Sequence, residues 1–387
     1  GVLGTSYELR FAARGTYTIG TTTYQAKQVK FVFGSQDGGA DNFEFNGGLA
    51  IGKSTDGYIG TSAPANGLIV QNKVGIGTNS PTQKLEVVGG DSLINGITVG
   101  RGATDGSATT SQNTALGYQA LHSNTSGFNN VATGYQALQT NTTGQYNTAI
   151  GMNALRDNED GDGNIATGTS ALEQNKSGNQ NVAIGTSALY SNTAGSSNVV
   201  MGWSAAWNLD GGANNTAIGD QAYLRGTGGN NNTVVGAASL SFNSLAAASY
   251  TGNRNTVVGA NSMQNITTGS DNVAVGYQAM TLVTAGNNNV AIGNNTLTAN
   301  NVASCVAVGY EALRVNTADS SVAVGFQALV NNTSGVSNTA VGTNSLTQNQ
   351  TGNYNTAVGF ESLQNNTGDY NTAYGVNTLN QNTSGTY

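Results

Sequence analysis

The chain has 387 residues with 55 glycines, two prolines, one cysteine and only 9% charged residues, for a net charge of −7. One cysteine excludes an intrachain disulfide framework, and an acidic balance argues against nucleic acid as a partner. The composition resembles disorder only until position is considered, because Gly and Asn recur at fixed offsets through most of the sequence.

Residues 1–73 alternate in the manner of β-strands. Tyr7, Leu9, Phe11 and Ala13 share one face, Val29, Phe31 and Phe33 another strand, then Phe43 with Phe45, and finally Leu68-Ile-Val70. Turns fall at Ser35-Gln-Asp-Gly-Gly39 and Ser54-Thr-Asp-Gly57, so this stretch is expected to be a small N-terminal β domain. Residues 74–110 form a connector that opens Val74-Gly-Ile-Gly-Thr-Asn-Ser-Pro81 and continues to Lys84-Leu-Glu-Val-Val88, a strand, a Pro-fixed turn and a second alternating strand.

From 111 to 387 one phrase repeats about sixteen times. A clean copy reads Asn113-Thr-Ala-Leu-Gly117-Tyr-Gln-Ala-Leu121-His-Ser-Asn124-Thr-Ser-Gly127. Successive anchoring glycines (Gly117, Gly134, Gly151 and onward to Gly375) lie 17 residues apart, with 16 at three steps and 23 at one. A short fixed period of this length predicts a parallel β-solenoid or β-roll, one repeat to a coil, in an all-β chain.

Counting from the anchoring Gly as zero, position −4 is Asn in fourteen of sixteen copies, with Cys305 and Ser321 the exceptions. Asn113, Asn147, Asn181, Asn215, Asn289 and Asn355 are therefore expected to stack as an amide ladder. Positions −3 and −1 are mostly β-branched and −2 is Ala or Val, so both faces of a short strand are apolar. A coil has one inside, and the second apolar face implies a partner; the small-residue face, with Ala115, Ala149, Ala183, Ala217, Ala291 and Ala340, is expected to be a homotrimer interface. Position +4, usually Leu, supplies the core, and the Asn-x-x-Gly turn is expected to use left-handed conformations.

Two resemblances follow from these residues. The stretch Val74-Gly-Ile-Gly-Thr with Pro81, Lys84 and Leu85 is similar to a leader common in phage tail fibre shaft proteins, which often end in an endosialidase-type intramolecular chaperone. The repeats, as in Asn181-Val-Ala-Ile-Gly185, resemble those shafts and the heads of trimeric autotransporter adhesins, whose coils form a left-handed β-roll. The longer coil and the leader depart from the adhesin pattern and favour the fibre. The resemblance implies a trimeric, non-enzymatic fibre of the virion, outside the cell, that joins other tail or fibre proteins and binds a host-surface glycan or protein. A bacterial surface adhesin or extracellular filament is the first rival, and a glycan-cleaving tailspike the second.

Candidate sites are few. Asp157, Glu159, Asp160 and Asp162 crowd one turn where oxygen density could hold a cation, although the spacing is not that of an EF-hand loop and a solvated acidic turn is the simpler reading. Trp203 and Trp207, with Phe242 and Tyr250 in the long 23-residue step, are candidates for receptor or glycan contact; edge packing and a tolerated loop are the rival readings. His122 has no fixed Asp or Ser partner, and Cys305 replaces a ladder Asn, so neither proposes catalysis. No cofactor is implied, and no apolar run reaches membrane-spanning length.

Overall fold

A computed structural model describes residues 112–241, 250–298, 302–383 and 385 in full, and before them the backbone of eight short strands. The chain divides into two compact units, Gly1–Glu86 and Val87–Tyr387. In the first, β1 (Thr16–Ile19) pairs antiparallel with β2 (Thr22–Gln25). There β3 (Leu49–Ile51) runs parallel to β4 (Leu68–Val70), the last strand expected within residues 1–73. The expected strands at residues 7–13, 29–33 and 43–45 lie outside the described residues. Two further strands, β5 (Val74–Ile76) and β6 (Leu85–Val87), flank Pro81 and pair with each other.

The second unit is a parallel β-solenoid. It begins with the antiparallel pair β7 (Ser92–Ile94) and β8 (Ile97–Gly100), and β8 lies antiparallel on the first coil strand, β9 (Thr114–Gly117). From β9 to β24 (Thr372–Tyr374) sixteen coil strands follow in chain order, each parallel to the next with −2 on −2, mostly Ala on Ala as at Ala115, Ala132 and Ala149, and with Val at Val200, Val234 and Val257. Since each strand meets only the coils before and after it, the assembly is a linear stack and not a barrel wall.

The interior explains the repeat. Position −2 is buried in every coil, while −3 and −1 never are. Opposite the −2 alanines sit the small residue at +3 and the large one at +4, such as Ala137 and Leu138, both fully buried. Two consecutive residues cannot face the same way in a regular strand. Here they do because φ is positive at +2 and +4: 56° at Gln136 and 51° at Leu138, and nearly the same in every coil. An unbranched-at-Cβ Leu is held left-handed, at a cost of about 1–2 kcal/mol per residue, because the inverted backbone turns its side chain into the core.

This relocates the left-handed residues. Asn141 and Gly144 of the Asn-x-x-Gly turn are not among the positive-φ residues. Gly144 is required by crowding: a Cβ there would lie 2.5 Å from Asn141 Oδ1 and 2.6 Å from the Gly161 carbonyl oxygen. The anchoring glycine is required twice over. At Gly168, φ is +131° and a Cβ would lie 2.6 Å from the Gly185 oxygen of the next coil.

Three polar ladders run along the stack. At −4, the backbone N–H of Asn130 donates to Asn113 Oδ1 at 2.8 Å, and the Asn113 Nδ2 crosses its own coil to the Gly127 carbonyl at 2.9 Å. At +7, Asn141 Nδ2 donates to Asn124 Oδ1 at 2.8 Å, while Asn124 Nδ2 reaches that same Gly127 carbonyl at 2.9 Å. Both lone pairs of one carbonyl are thus used inside the core, where an unpaired amide is costly. At −6, on the surface, a side-chain oxygen accepts the N–H of the coil before it, as in Gln145 N to Asp162 Oδ1 at 2.7 Å and Asp162 N to Asn179 Oδ1 at 2.7 Å.

The ladders have ends and patches. At −4 the sulfur of Cys305 and the hydroxyl of Ser321 interrupt the amides, although Cys305 N still donates to Asn289 Oδ1 at 3.0 Å. At +7 the amides stop at Asn192, whose Oδ1 is buried without a partner because Leu209 stands at the next level. Among the described residues Ile266 and Val283 are likewise apolar at +7, and Asn316 is the next described amide, with a bond from Asn332 Nδ2.

Candidate functional site

The solvent face of the parallel sheet is built by the side chains at −3 and −1. Alternation along a three-residue strand sends −2 inward and its two neighbours outward, giving two ranks of Thr, Val, Ile and a few larger residues. Leu116, Ile150, Ile184, Met201 and Ile292 are among the exposed members. None of the residues at −3 or −1 in sixteen coils is charged. Beside them, at +1, Tyr118 stacks on Tyr135 and Tyr310 on Phe326, both at 5.3 Å between ring centroids.

This placement corrects the expected trimer interface. Ala115, Ala149, Ala183, Ala217, Ala291 and Ala340 are 0–2% exposed in the single chain, and so line its own core. They are small because +3 and +4 of the facing wall fill the space, and they are unavailable to another chain. The second apolar face is on the opposite side of the same strands. The expected ladder residues Asn147, Asn181, Asn215, Asn289 and Asn355 sit with Asn113 at the buried −4 corner, each N–H bonded to the Oδ1 of the coil before, as in Asn147 to Asn130 and Asn355 to Asn338 at 2.9 Å.

The candidate contact residues separate. Trp203 is 55% exposed at +1, and Trp207 is 38% exposed at +5 with its ring stacked on Tyr190 at 5.5 Å and 11° between planes. Tyr250 is fully buried, 5.7 Å from Tyr223 in an edge-to-face pair, which removes it from any outer surface. Its hydroxyl donates to the Gly269 carbonyl at 3.1 Å, and Tyr223 Oη accepts from Asn232 Nδ2 at 3.1 Å. The pair therefore fills the gap in the +7 ladder and ties it to the −4 ladder. Burial pushes both phenols well above the usual tyrosine range. Phe242 lies outside the described residues.

The acidic turn does not converge on a cation. Asp157 is held by Arg156, Nε to Oδ1 at 2.7 Å and Nη2 to Oδ2 at 2.8 Å, and Arg156 also pairs with the nearly buried Glu173. The Asp157 hydrogen bond outweighs desolvation and holds the guanidinium above its ordinary range. Asp162 serves the −6 ladder, and among the described residues no three His, Cys, Asp or Glu side chains group as a metal site. His122 is exposed, and the buried Cys305 thiol, pushed up by desolvation, donates to the Ala318 carbonyl at 3.4 Å. Among the described residues, no helix is long and apolar enough to cross a membrane.

No protein-family model matches the sequence, and neither the curated proteins nor the solved structures yield a match.

Proposed function

We propose that this chain is the shaft of a homotrimeric extracellular fibre, of the kind a phage uses to attach to its host, and that it works by spanning distance and holding a recognition surface without turning over a substrate. The observation that supports this most is the sixteen-strand stack, continuous in register from β9 to β24 and tied along most of its length by polar ladders. A ladder that repeats every coil resists bending and local opening together, because opening any level breaks backbone and amide bonds at once. At ~4.8 Å per coil the stack is about 75 Å long. Trp203 and Trp207 supply the exposed aromatic surface on which a glycan would rest, and three copies would add weak contacts through avidity.

The test is a binding measurement on arrays of bacterial surface polysaccharides and on intact cells with the labelled full chain. Retention that falls at least tenfold for Trp203→Ala with Trp207→Ala, at unchanged native mass, supports attachment. Release of reducing sugar from a retained polysaccharide would instead make the chain a tailspike enzyme.

A further inference from the structure

Resting on that fibre reading, we propose that the −3/−1 sheet face is where copies of this chain meet, side by side, parallel and level with one another. The two ranks hold only uncharged side chains, half-exposed or exposed in every coil, and most are β-branched or longer apolar groups. The sole charge at −3, −1 or +1 over sixteen coils is Asp220 at +1, at the margin of the face. A monomer would leave this uncharged strip, apolar except for the hydroxyls of ten Thr and of Tyr374 among its thirty-two members, in water, at a size above the ~300–600 Å² of the largest patch on a typical soluble monomer.

Size and period select the occupant. Two ranks about 10 Å broad and about 75 Å long present roughly 750 Å² per chain, close to the ~800 Å² that each partner contributes to a specific interface. A partner must offer apolar knobs at the same ~4.8 Å interval over that whole length, and a second copy does so by construction. Parallel, level packing brings each β-branched side chain against its own counterpart. It also sets the 23-residue step between Gly236 and Gly259 at one height in all copies, where its extra residues need not intrude on a neighbour's sheet.

Two measurements test this on the full chain. In the first, Ile184→Glu with Ile292→Glu is followed by light scattering and far-ultraviolet circular dichroism. The wild type is expected near 118 kDa, three times 39.2 kDa, and the variant at 39.2 kDa with its β signal kept. In the second, Ile150→Cys and Ile292→Cys are oxidised separately, and each is expected to give a covalent dimer on a reducing-agent-free gel, with the buried Cys305 of the wild type giving none. Antiparallel copies would bring neither the third coil nor the eleventh against itself, so absence of both crosslinks in an oligomeric protein overturns the parallel arrangement. An oligomer whose mass survives the glutamates overturns the interface while leaving the fibre reading intact, whereas a wild-type monomer overturns both.

Discussion

The inner asparagines are the residues on which the coil depends most. Within a run, a +7 amide gives its Nδ2 to a neighbour's Oδ1 and to the Gly carbonyl of its own turn, as Asn158 does to Asn141 at 2.8 Å and to Gly161 at 3.1 Å. Asn158→Ala strips the acceptor from Asn175 and the donor from Asn141 at a fully buried position. It is expected to cost about 2–4 kcal/mol, read as a lower denaturant midpoint at unchanged slope. A substitution at the surface ladder, Asp162→Ala, should cost about 1 kcal/mol or less, since water can replace the lost acceptor. Glycines divide in the same way. Gly168→Ala forces a Cβ into the next coil's backbone and is expected to abolish soluble folded protein. Gly211→Ala, at φ +73° with nothing within 4 Å of the new Cβ, should cost only about 1–2 kcal/mol of backbone strain.

At the scale of the coil, the strand, the buried Leu and the −4 ladder could be read from periodicity, because each is a fixed residue type at a fixed offset. The assignment of faces could not. Period-two alternation says that Ala115 opposes Thr114 and Leu116, but not which side is inside; that depends on how much space Leu121 and Ala120 take from the other wall. The left-handed Leu was hidden because its conformation serves packing and not the turn chemistry that Asn and Gly advertise. The −6 ladder was hidden because Asp162, Asn179 and Ser196 share only an acceptor oxygen, so no single letter repeats. The Tyr223–Tyr250 plug belongs to this scale too. Burial raises both phenols, so the neutral forms are favoured in the folded state while the unfolded chain ionises near pH 10. That stability is present below about pH 10 and is lost as pH rises towards the folded values. Alkaline unfolding monitored by circular dichroism should therefore start near pH 10–11 and shift upward in the double variant Tyr223→Phe, Tyr250→Phe, after normalising to neutral stability.

The inside of the stack is held mainly by neutral bonds. Most of its ion pairs among the described residues, such as Arg254 with Asp271 at 2.6 Å, join exposed or half-exposed groups, the nearly buried Glu173 beside Arg156 being an exception, and the −4 and +7 ladders carry no net charge. Asp271 is held below the usual carboxylate range by its hydrogen bond from Arg254, yet both groups stand in solvent. Melting temperature is expected to change by no more than about 2 °C between low and high salt, where a structure relying on charge pairs would shift visibly. Unfolding should also depart from a single cooperative step, because each coil touches only its neighbours and the described +7 residues Leu209, Ile266 and Val283 offer no amide beyond the unpaired Asn192 Oδ1. Hydrogen exchange is expected to protect the coils of Asn124–Asn192 and Asn316–Asn366 longer than those between them.

The +7 asparagines carry one more implication. Asn124-Thr-Ser, Asn141-Thr-Thr, Asn175-Lys-Ser and Asn332-Thr-Ser each spell an acceptor sequence for N-linked sugar, yet in every case the amide nitrogen that would be glycosylated is buried and donates to the Gly carbonyl of its own turn or to the amide of the preceding coil. A secretory pathway that attaches oligosaccharide before folding would plant a bulky, hydrated group in the interior at several levels. The fold and the modification are therefore mutually exclusive: a chain made in such a host will carry sugar at these positions only on molecules that have failed to coil, and mass spectrometry of the soluble and aggregated fractions would separate the two populations.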